Sequence, residues 1–539
     1  MRGVSFYQLN GRVTRGATRL VNQNLAHALT SANFWSSSEN NSNNSWNVNF
    51  ASSGNSNNNN KYNSNAGRAV AALDDREKAS VMEAYNDCCR DKMGSPDCVE
   101  FRLHAEEIID LALSVKTRTY EPGLSDTFIV TRPKLREIFA AHFKDRIVQH
   151  WICLRLIPLF EERFHSMGNV SYNCRKDFGT LAARMRLYDD IHAHWSEEAQ
   201  RLQKLDVVKY LRGLDANHVW ESLKQLGTEK YVGKFDIASY FMSIDINVLW
   251  QYLKPFIEEK YQGDDKDTLL YLTEKTIFHR PQNHCVRKGN LDLWRYLPKS
   301  KSLFGKDDHT GMAIGNLTTQ TLCNFYLSFF DEWLLTRIAS LGYDDPTAHY
   351  IRFVDDFVLH SMPVQHITLL HREASQWLQG NTHLNLHPDK VYIQPQHHGL
   401  NYVGGVIMPG RVYIINRTVG AMRWQVKKME HVCERIMKEG VCENRLRLLN
   451  EIVSSVNSYS GFLVHGATYK IQKDMMYGTH YFWKVGYMWK NLSVVRVRKK
   501  YRLRNWLVEE ERHRWRVMRA WEPRRRSGFP EGKRLPMIW

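Results

Sequence analysis

At 539 residues the chain is too long for one ordinary core, and its 43% hydrophobic content suits globular domains. The formal net charge of +17 is unevenly placed: residues 490–539 carry 16 Lys/Arg against 5 Glu, a net of +11, and residues 1–68 carry +5, leaving +1 for the rest. A grip on a polyanion is therefore expected largely from the two ends, or from another subunit. No apolar run approaches the roughly 20 residues of a membrane span, and the first thirty residues lack a signal-peptide core. The nine cysteines form no C-x-x-C pair and no Cys/His set at zinc spacing. A soluble, cytoplasmic protein with reduced thiols and no membrane association is expected.

Along the chain, residues 1–30 form a mildly basic leader and residues 35–66 an Asn/Ser tract with too little aliphatic content to build a core, for which disorder is expected. From about residue 75 the pattern turns helical, with Ala84, Tyr85, Ile108, Ile109, Leu111 and Leu113 among charged positions, and Pro122-Gly123 marks a turn. YVGKFDIASYFMSID (231–245) reads as an apolar strand ending in Asp236 and entering a helix that begins with Tyr240 and Phe241. GMAIGNLTTQTLCNFYLSFFDEWL (311–334) reads as a loop entering a long helix. YIRFVDDFVLHS (350–361) reads as a β-hairpin turning at Asp355 and Asp356, and residues 418–480 as amphipathic helices. In the tail, Arg/Lys clusters alternate with Trp506, Trp515, Trp521 and Trp539, a pattern suited to neutralising phosphates and stacking on unpaired bases.

The adjacent acids Asp355 and Asp356 interrupt an otherwise apolar and aromatic run, and crowded carboxylates are costly unless a cation holds them. With Asp236 they make a three-carboxylate set. Two Mg²⁺ ions about 3.5–4 Å apart need such an oxygen-rich platform to clamp the attacking and leaving oxygens of a phosphoryl displacement. Nucleotidyl transfer is the expected reaction class.

On these segments the chain resembles the reverse transcriptase family over roughly residues 75–480. REIFAAHFKDRIVQHWI (136–152) and SYNCRKDFGTLAA (171–183) are similar to the fingers motifs, KFDIASYFMSI to motif A, residues 311–334 to motif B and FVDD to motif C. LNLHPDK (384–390) resembles motif D, GLNYVGGVI (399–407) the primer grip, and NSYSGFLVH (457–465) a thumb segment of bacterial members. The resemblance implies an α+β fold built as a right hand: leader and low-complexity segment 1–74, N-terminal helices and fingers 75–230, palm 231–415, thumb 416–489 and a basic extension 490–539.

It also implies roles. Asp236, Asp355 and Asp356, with the backbone carbonyl of Ile237, would hold two Mg²⁺ ions, with Mn²⁺ as a substitute, and Lys390 would protonate pyrophosphate. Arg175 and Lys176 would meet the incoming deoxynucleoside triphosphate. Phe241, five residues after Asp236, would lie beneath the sugar and exclude a 2′-hydroxyl, while one of Tyr240 and Phe241 is ordinary core. Ile314 and Gly315 would face the nascent pair, and Gly179, Asn316, Gly404 and Gly405 would approach template and primer.

Most reverse transcriptases place Gln before the motif B glycine; AIGNLTTQ places Ile314 there, similar to the diversity-generating retroelement branch, which miscopies template adenines. LPKSKSLF (297–304) resembles that branch too. An aliphatic side chain cannot hydrogen-bond across the nascent pair, so the gap between right and wrong pairs should shrink. Independently, 13 of residues 38–66 are Asn, whose codons begin with two adenines and end in a pyrimidine, so adenine randomisation never creates a stop. Residues 35–70 read as a translated, adenine-rich template repeat, with a flexible spacer as the alternative. The expected function is error-prone, RNA-directed DNA synthesis on template RNA and a DNA primer, in a bacterial or phage-infected cell, with a basic accessory variability protein. Retron-like or antiviral and group II intron-type enzymes stay open as rivals, although the missing Cys/His sets speak against an intron endonuclease; a non-enzymatic RNA-binding protein is disfavoured by the three acids.

Overall fold

The computed structural model describes residues 33–39, 44–49, 56–60 and 73–526, apart from 74, 91–92, 104–105, 133, 205–228 and 490–493. Expectations placed on the leader and on residues 527–539 lie outside the described residues. Inside the Asn/Ser tract the described backbone forms an antiparallel ladder of β1 (Asn33–Glu39), β2 (Asn44–Asn49) and β3 (Ser56–Asn60). Such pairing uses backbone groups alone and needs no aliphatic side chains.

Among the described residues two compact units divide the chain, the larger from residues 33–183 and 202–396 and the smaller from residues 184–201 and 397–526. In the larger unit, helices Asp75–Cys89 and Glu106–Lys116 precede an antiparallel pair, β4 (Ser125–Val130) and β5 (Arg136–Ala140). The long helix Phe143–Ser166 follows. It buries Val148, Ile152, Leu156, Phe160 and Phe164, the three-to-four spacing of a helix with one apolar face. The central sheet is antiparallel, in the order β10 (Tyr392–Pro395), β6 (Tyr231–Asp236), β9 (Asp356–Met362), β8 (Tyr350–Phe353). β7 (Cys285–Arg287) adds in parallel to β4.

Helix Val364–Thr382 packs on this sheet with Ile367, Leu370, Ala374 and Leu378 buried. Close approach makes Gly233 necessary, since a Cβ there would lie 2.6 Å from the Ile367 Cγ2. The expected long helix after motif B is two helices, Leu317–Tyr326 and Ser328–Ser340, joined at Leu327.

Beneath β8 lies an ion pair with both side chains wholly buried. Arg352 donates through Nε and Nη2 to the two oxygens of Asp331, at 2.7 and 2.6 Å, while the Tyr350 hydroxyl donates to Asp331 at 2.6 Å. The Arg352 Nη1 donates to the Val354 carbonyl at 3.0 Å, so the pair reaches the hairpin turn.

In the smaller unit, β11 (Leu400–Tyr402), β12 (Gly405–Met408) and β13 (Arg411–Ile414) form a meander. Helices Asn416–Glu439 and Glu443–Leu463 pack together through Met422, Val426, Met429 and Cys433 with Leu446, Leu449, Val453 and Val456. Glu430 accepts from the backbone N–H groups of His480, Tyr481 and Phe482, fixing the start of helix Phe482–Val485. The Asn457 amide bonds both backbone groups of Val495 in the hairpin of β14 (Gly486–Trp489) and β15 (Val494–Val497). The meander belongs to this unit by compactness. Among the described residues no helix is long and apolar enough to cross a membrane.

Replacing Asp331 by Asn removes one charge of a desolvated pair and leaves Arg352 buried without its counter-ion. The expected loss is roughly 3–5 kcal/mol, read as a lowered urea midpoint. A loss under about 1 kcal/mol would show that the pair does not hold the sheet.

Candidate active site

β6 alternates in burial, so Lys234 and Asp236 share one face at its C-terminal end. Register then sets the site: Asp236 lies directly opposite Asp356, the first residue of β9, and Phe353 opposes Asp356 from β8. The hairpin turns at Val354 and Asp355, one residue earlier than the expected Asp355–Asp356 turn. Val354 has φ +60°, a conformation that costs a β-branched residue energy. Bonds on both sides hold it. The Val354 N–H donates to Asn173 Oδ1 at 2.9 Å, its carbonyl takes Arg352, and the Asp355 carbonyl accepts from the Ile237 N–H at 3.2 Å.

Asn173 is itself fixed. Residues 170–173 run beside β8, where Tyr172 donates to the Arg352 carbonyl and Arg352 to the Val170 carbonyl, and Asn324 donates to the Asn173 carbonyl at 3.0 Å. The Ser171 hydroxyl donates to Asn324 Oδ1 at 2.6 Å. A buried polar network thus joins the segment resembling a fingers motif to the turn that carries Asp355.

The three carboxylates converge. Burial pushes the Asp355 carboxyl up to about 7, with the charges of Asp236 and Asp356 adding to the shift. Asp356 is also raised, chiefly by burial and then by Asp236, against the lowering influence of Lys234, whose Nζ lies 3.5 Å from Asp356 Oδ2. Lys390 pairs with Asp236, and the His387 N–H donates to the Asp236 carbonyl at 2.8 Å, so the 384–390 loop closes on the end of β6. Two lysines thus partly neutralise three acids. Among the described residues no three His, Cys, Asp or Glu side chains are gathered closely enough to hold a metal ion, so the acids share a neighbourhood rather than a finished ligand set. Burial first, then the neighbouring acids, disfavour the charged form of Asp355.

Other expected site residues are sorted by the structure. Tyr240 is the core member of its pair, buried with its hydroxyl donating to the Cys323 carbonyl at 2.6 Å, and Phe241 is only partly buried, its ring centroid 5.2 Å from that of Tyr240. The Phe241 carbonyl accepts from Met312 at 2.7 Å, tying motif A to motif B. Ile314 is partly buried and Gly315 exposed. Gly315 has φ +129°, and a Cβ there would lie 2.4 Å from the Phe139 carbonyl oxygen, so only glycine fits. Asn316 occupies the N-cap position of helix Leu317–Tyr326 without a side-chain cap bond, and the Gly179 carbonyl accepts from the Ala183 N–H.

Arg175 is held within the fold. Its side chain is 2% exposed, held by both oxygens of Glu161 at 2.7–3.0 Å, by Asn169 and by the Ser171 carbonyl, and it lies 3.9 Å from the Phe178 ring centroid. Each of its three nitrogens makes a bond within the fold, and Lys176 is the exposed cation of the pair. Gly404 and Gly405 belong to the smaller unit. There Val403 and Gly404, at φ +38° and +87°, turn the β11–β12 hairpin, and a Cβ on Gly405 would lie 2.4 Å from Arg184 Cδ.

The sequence reading missed Lys234, although its place two residues before Asp236 on a strand was a usable signal. It also missed Asn173, Asn324, Asp331 and Arg352, whose partners lie 19 to 181 residues apart.

No family model and no curated protein matches the chain. Among solved structures it is similar to telomerase from Candida albicans in complex with a TWJ fragment of telomeric RNA, at 13% identity and a TM-score of 0.32, over 67% of this chain and 60% of that one. It is likewise similar to apo telomerase from Candida tropicalis, at 11% identity and a TM-score of 0.34, over 66% of this chain and 65% of that one. The chain spans less than two thirds of either neighbour's length.

A carboxyl raised by its surroundings destabilises the fold once ionised, so the penalty is absent below the unfolded pKa near 4, grows with pH and is complete above about 7. Asp355→Asn, measured in EDTA, should therefore stabilise the protein by about 1–3 kcal/mol at pH 8 and by little at pH 4. A destabilised variant at pH 8 would contradict this account of crowding.

Proposed function

We propose that the chain is an RNA-directed DNA polymerase that copies template RNA from a DNA primer with low fidelity at adenines, as in the diversity-generating retroelement branch. One observation carries the polymerase reading: Asp236 and Asp356 face each other across neighbouring strands with Asp355 in the adjoining turn, and the resulting negative charge is only partly neutralised by Lys234 and Lys390. Asp236, Asp355, Asp356 and the Ile237 carbonyl would hold two Mg²⁺ ions, with Mn²⁺ an expected substitute, and these would neutralise charge on the attacking and leaving oxygens.

The chain's own residues do the rest. Lys390 keeps a proton beside Asp236, where departing pyrophosphate would take it. Phe241 offers a flat ring for the deoxyribose, and Lys176 an exposed cation for the triphosphate. Ile314 and Gly315 face the nascent pair; Ile314 fills space there without hydrogen-bonding, which favours shape over pairing as the criterion of choice. Gly179 and Asn316 approach the template, and Gly404 and Gly405 the primer. The basic tail adds grip on RNA, and an accessory basic protein completes the assembly.

The experiment is primer extension by the full chain on RNA with Mg²⁺ and deoxynucleotides. Wild type should extend the primer, EDTA should stop it, and Asp356→Asn should lower the rate at least 100-fold, since several kcal/mol of charge stabilisation is lost. Full-rate synthesis by Asp356→Asn would overturn the site. Sequencing the products should show frequent errors opposite template adenine, and Ile314→Gln should reduce them about tenfold, a change that needs only about 1.4 kcal/mol. Uniformly low error at adenines, with the accessory protein supplied, would leave a generic reverse transcriptase. Phe241→Ala should admit ribonucleotides, and unchanged sugar selection would place the gate elsewhere.

A further inference from the structure

β5 presents Glu137 and Phe139 on one face, and both are wholly buried. Burying a carboxylate without compensation is costly, and here three donors compensate it. Glu137 Oε1 accepts from the Trp294 indole N–H at 2.8 Å and the Ser302 hydroxyl at 2.9 Å, and Oε2 accepts from the Leu303 backbone N–H at 2.7 Å. The Ser302 hydroxyl also accepts from the Phe304 N–H at 3.2 Å. A single side chain thus fastens both ends of residues 294–304, a stretch that otherwise offers short 3-10 turns and exposed lysines.

That stretch leads to the proposed nascent-pair site. Leu303 is wholly buried in a small cluster with Phe139, Met242 and Ala313, on which Phe304 and Ile314 pack. The Phe304 ring lies 5.8 Å from that of Phe139 and carries the Arg287 guanidinium at 3.9 Å from its centroid. From β5 the Phe139 N–H donates to the Ile314 carbonyl at 2.8 Å, and the Phe139 carbonyl is the oxygen that leaves no room for a Cβ at Gly315. Met242 follows Phe241, and Ala313 precedes Ile314. The proposed pair-checking residue is therefore backed by a cluster one wall of which Glu137 holds in place, and Met242 joins that cluster to the chain segment carrying the proposed sugar gate.

We infer that residues 294–304 are a specificity element of the nascent-pair site and that Glu137 is its positioning residue, acting through Leu303 on Ile314. This rests on the polymerase reading and adds to it where discrimination is set. Glu137 touches neither metal, nucleotide nor template in this account. Loosening its clamp should alter how tightly Ile314 and Phe241 are held, and so shift selection between nucleotides more than the chemistry at the carboxylates.

The test uses the full chain, an RNA template and single-nucleotide incorporation, and compares kcat/KM for matched and mismatched nucleotides opposite each template base. Ser302→Ala and Trp294→Phe each remove one donor from Glu137 on a different residue while leaving Leu303 in the core; Glu137→Gln alters the acceptor itself. The two donor variants are expected to change the ratio of mismatched to matched incorporation at least fivefold in the same direction, with matched turnover within about threefold of wild type and the fold retained by circular dichroism. A ratio unchanged in both donor variants, or matched and mismatched incorporation falling in parallel, would overturn the inference and leave Glu137 a purely structural residue. Should Glu137→Gln fail to fold, the donor variants still decide the matter. A folded wild type that incorporates nothing would sink the polymerase reading instead, which keeps the two failures distinguishable.

Discussion

Three carboxylates at one corner of an antiparallel sheet are the constraint around which the larger unit is organised. Their mutual repulsion and partial burial disfavour ionisation, visible in Asp355, and the fold answers with Lys234 from the same strand and Lys390 from the loop that closes over β6. A sheet corner left in this electrostatic state is poorly suited to stability alone, since neutral residues of similar size would fold better. On the proposed function, the arrangement is a place for cations to sit.

Keeping the corner in shape falls to buried groups that carry no chemistry. The Asp331–Arg352 pair anchors β8 and reaches the Val354 carbonyl, while Asn173 takes the Val354 N–H and is itself held by Asn324. A β-branched residue at positive φ is maintained because its surroundings over-determine it. Arg175 belongs to the same class: its bidentate bond to Glu161 shapes the segment from which Ser171 and Asn173 reach the turn. Glu137 does the corresponding work behind motif B.

The placing of the acids at a strand end and a turn, the strands that carry them and the amphipathic helices after residue 416 were legible because each is a local pattern: a polar interruption of an apolar run, a period of two, a period of 3.6. One of Tyr240 and Phe241 was expected in the core, and the structure buries Tyr240. What was not legible depends on partners distant in sequence. Nothing near Arg175 announces that Glu161, fourteen residues earlier, captures its guanidinium. Nothing near Glu137 points to Ser302, and a valine gives no sign that it will take the turn's positive φ in place of Asp355.

Divalent-ion binding tests the central claim most directly. Mn²⁺ titrated into the full chain with primer, RNA template and a non-reactive nucleotide, followed by electron paramagnetic resonance, should show saturable binding of two ions per chain, weakened at least tenfold by Asp236→Asn and by Asp356→Asn with the fold intact. Absence of saturable binding, or binding indifferent to both substitutions, would contradict the reading of this corner as a two-cation site.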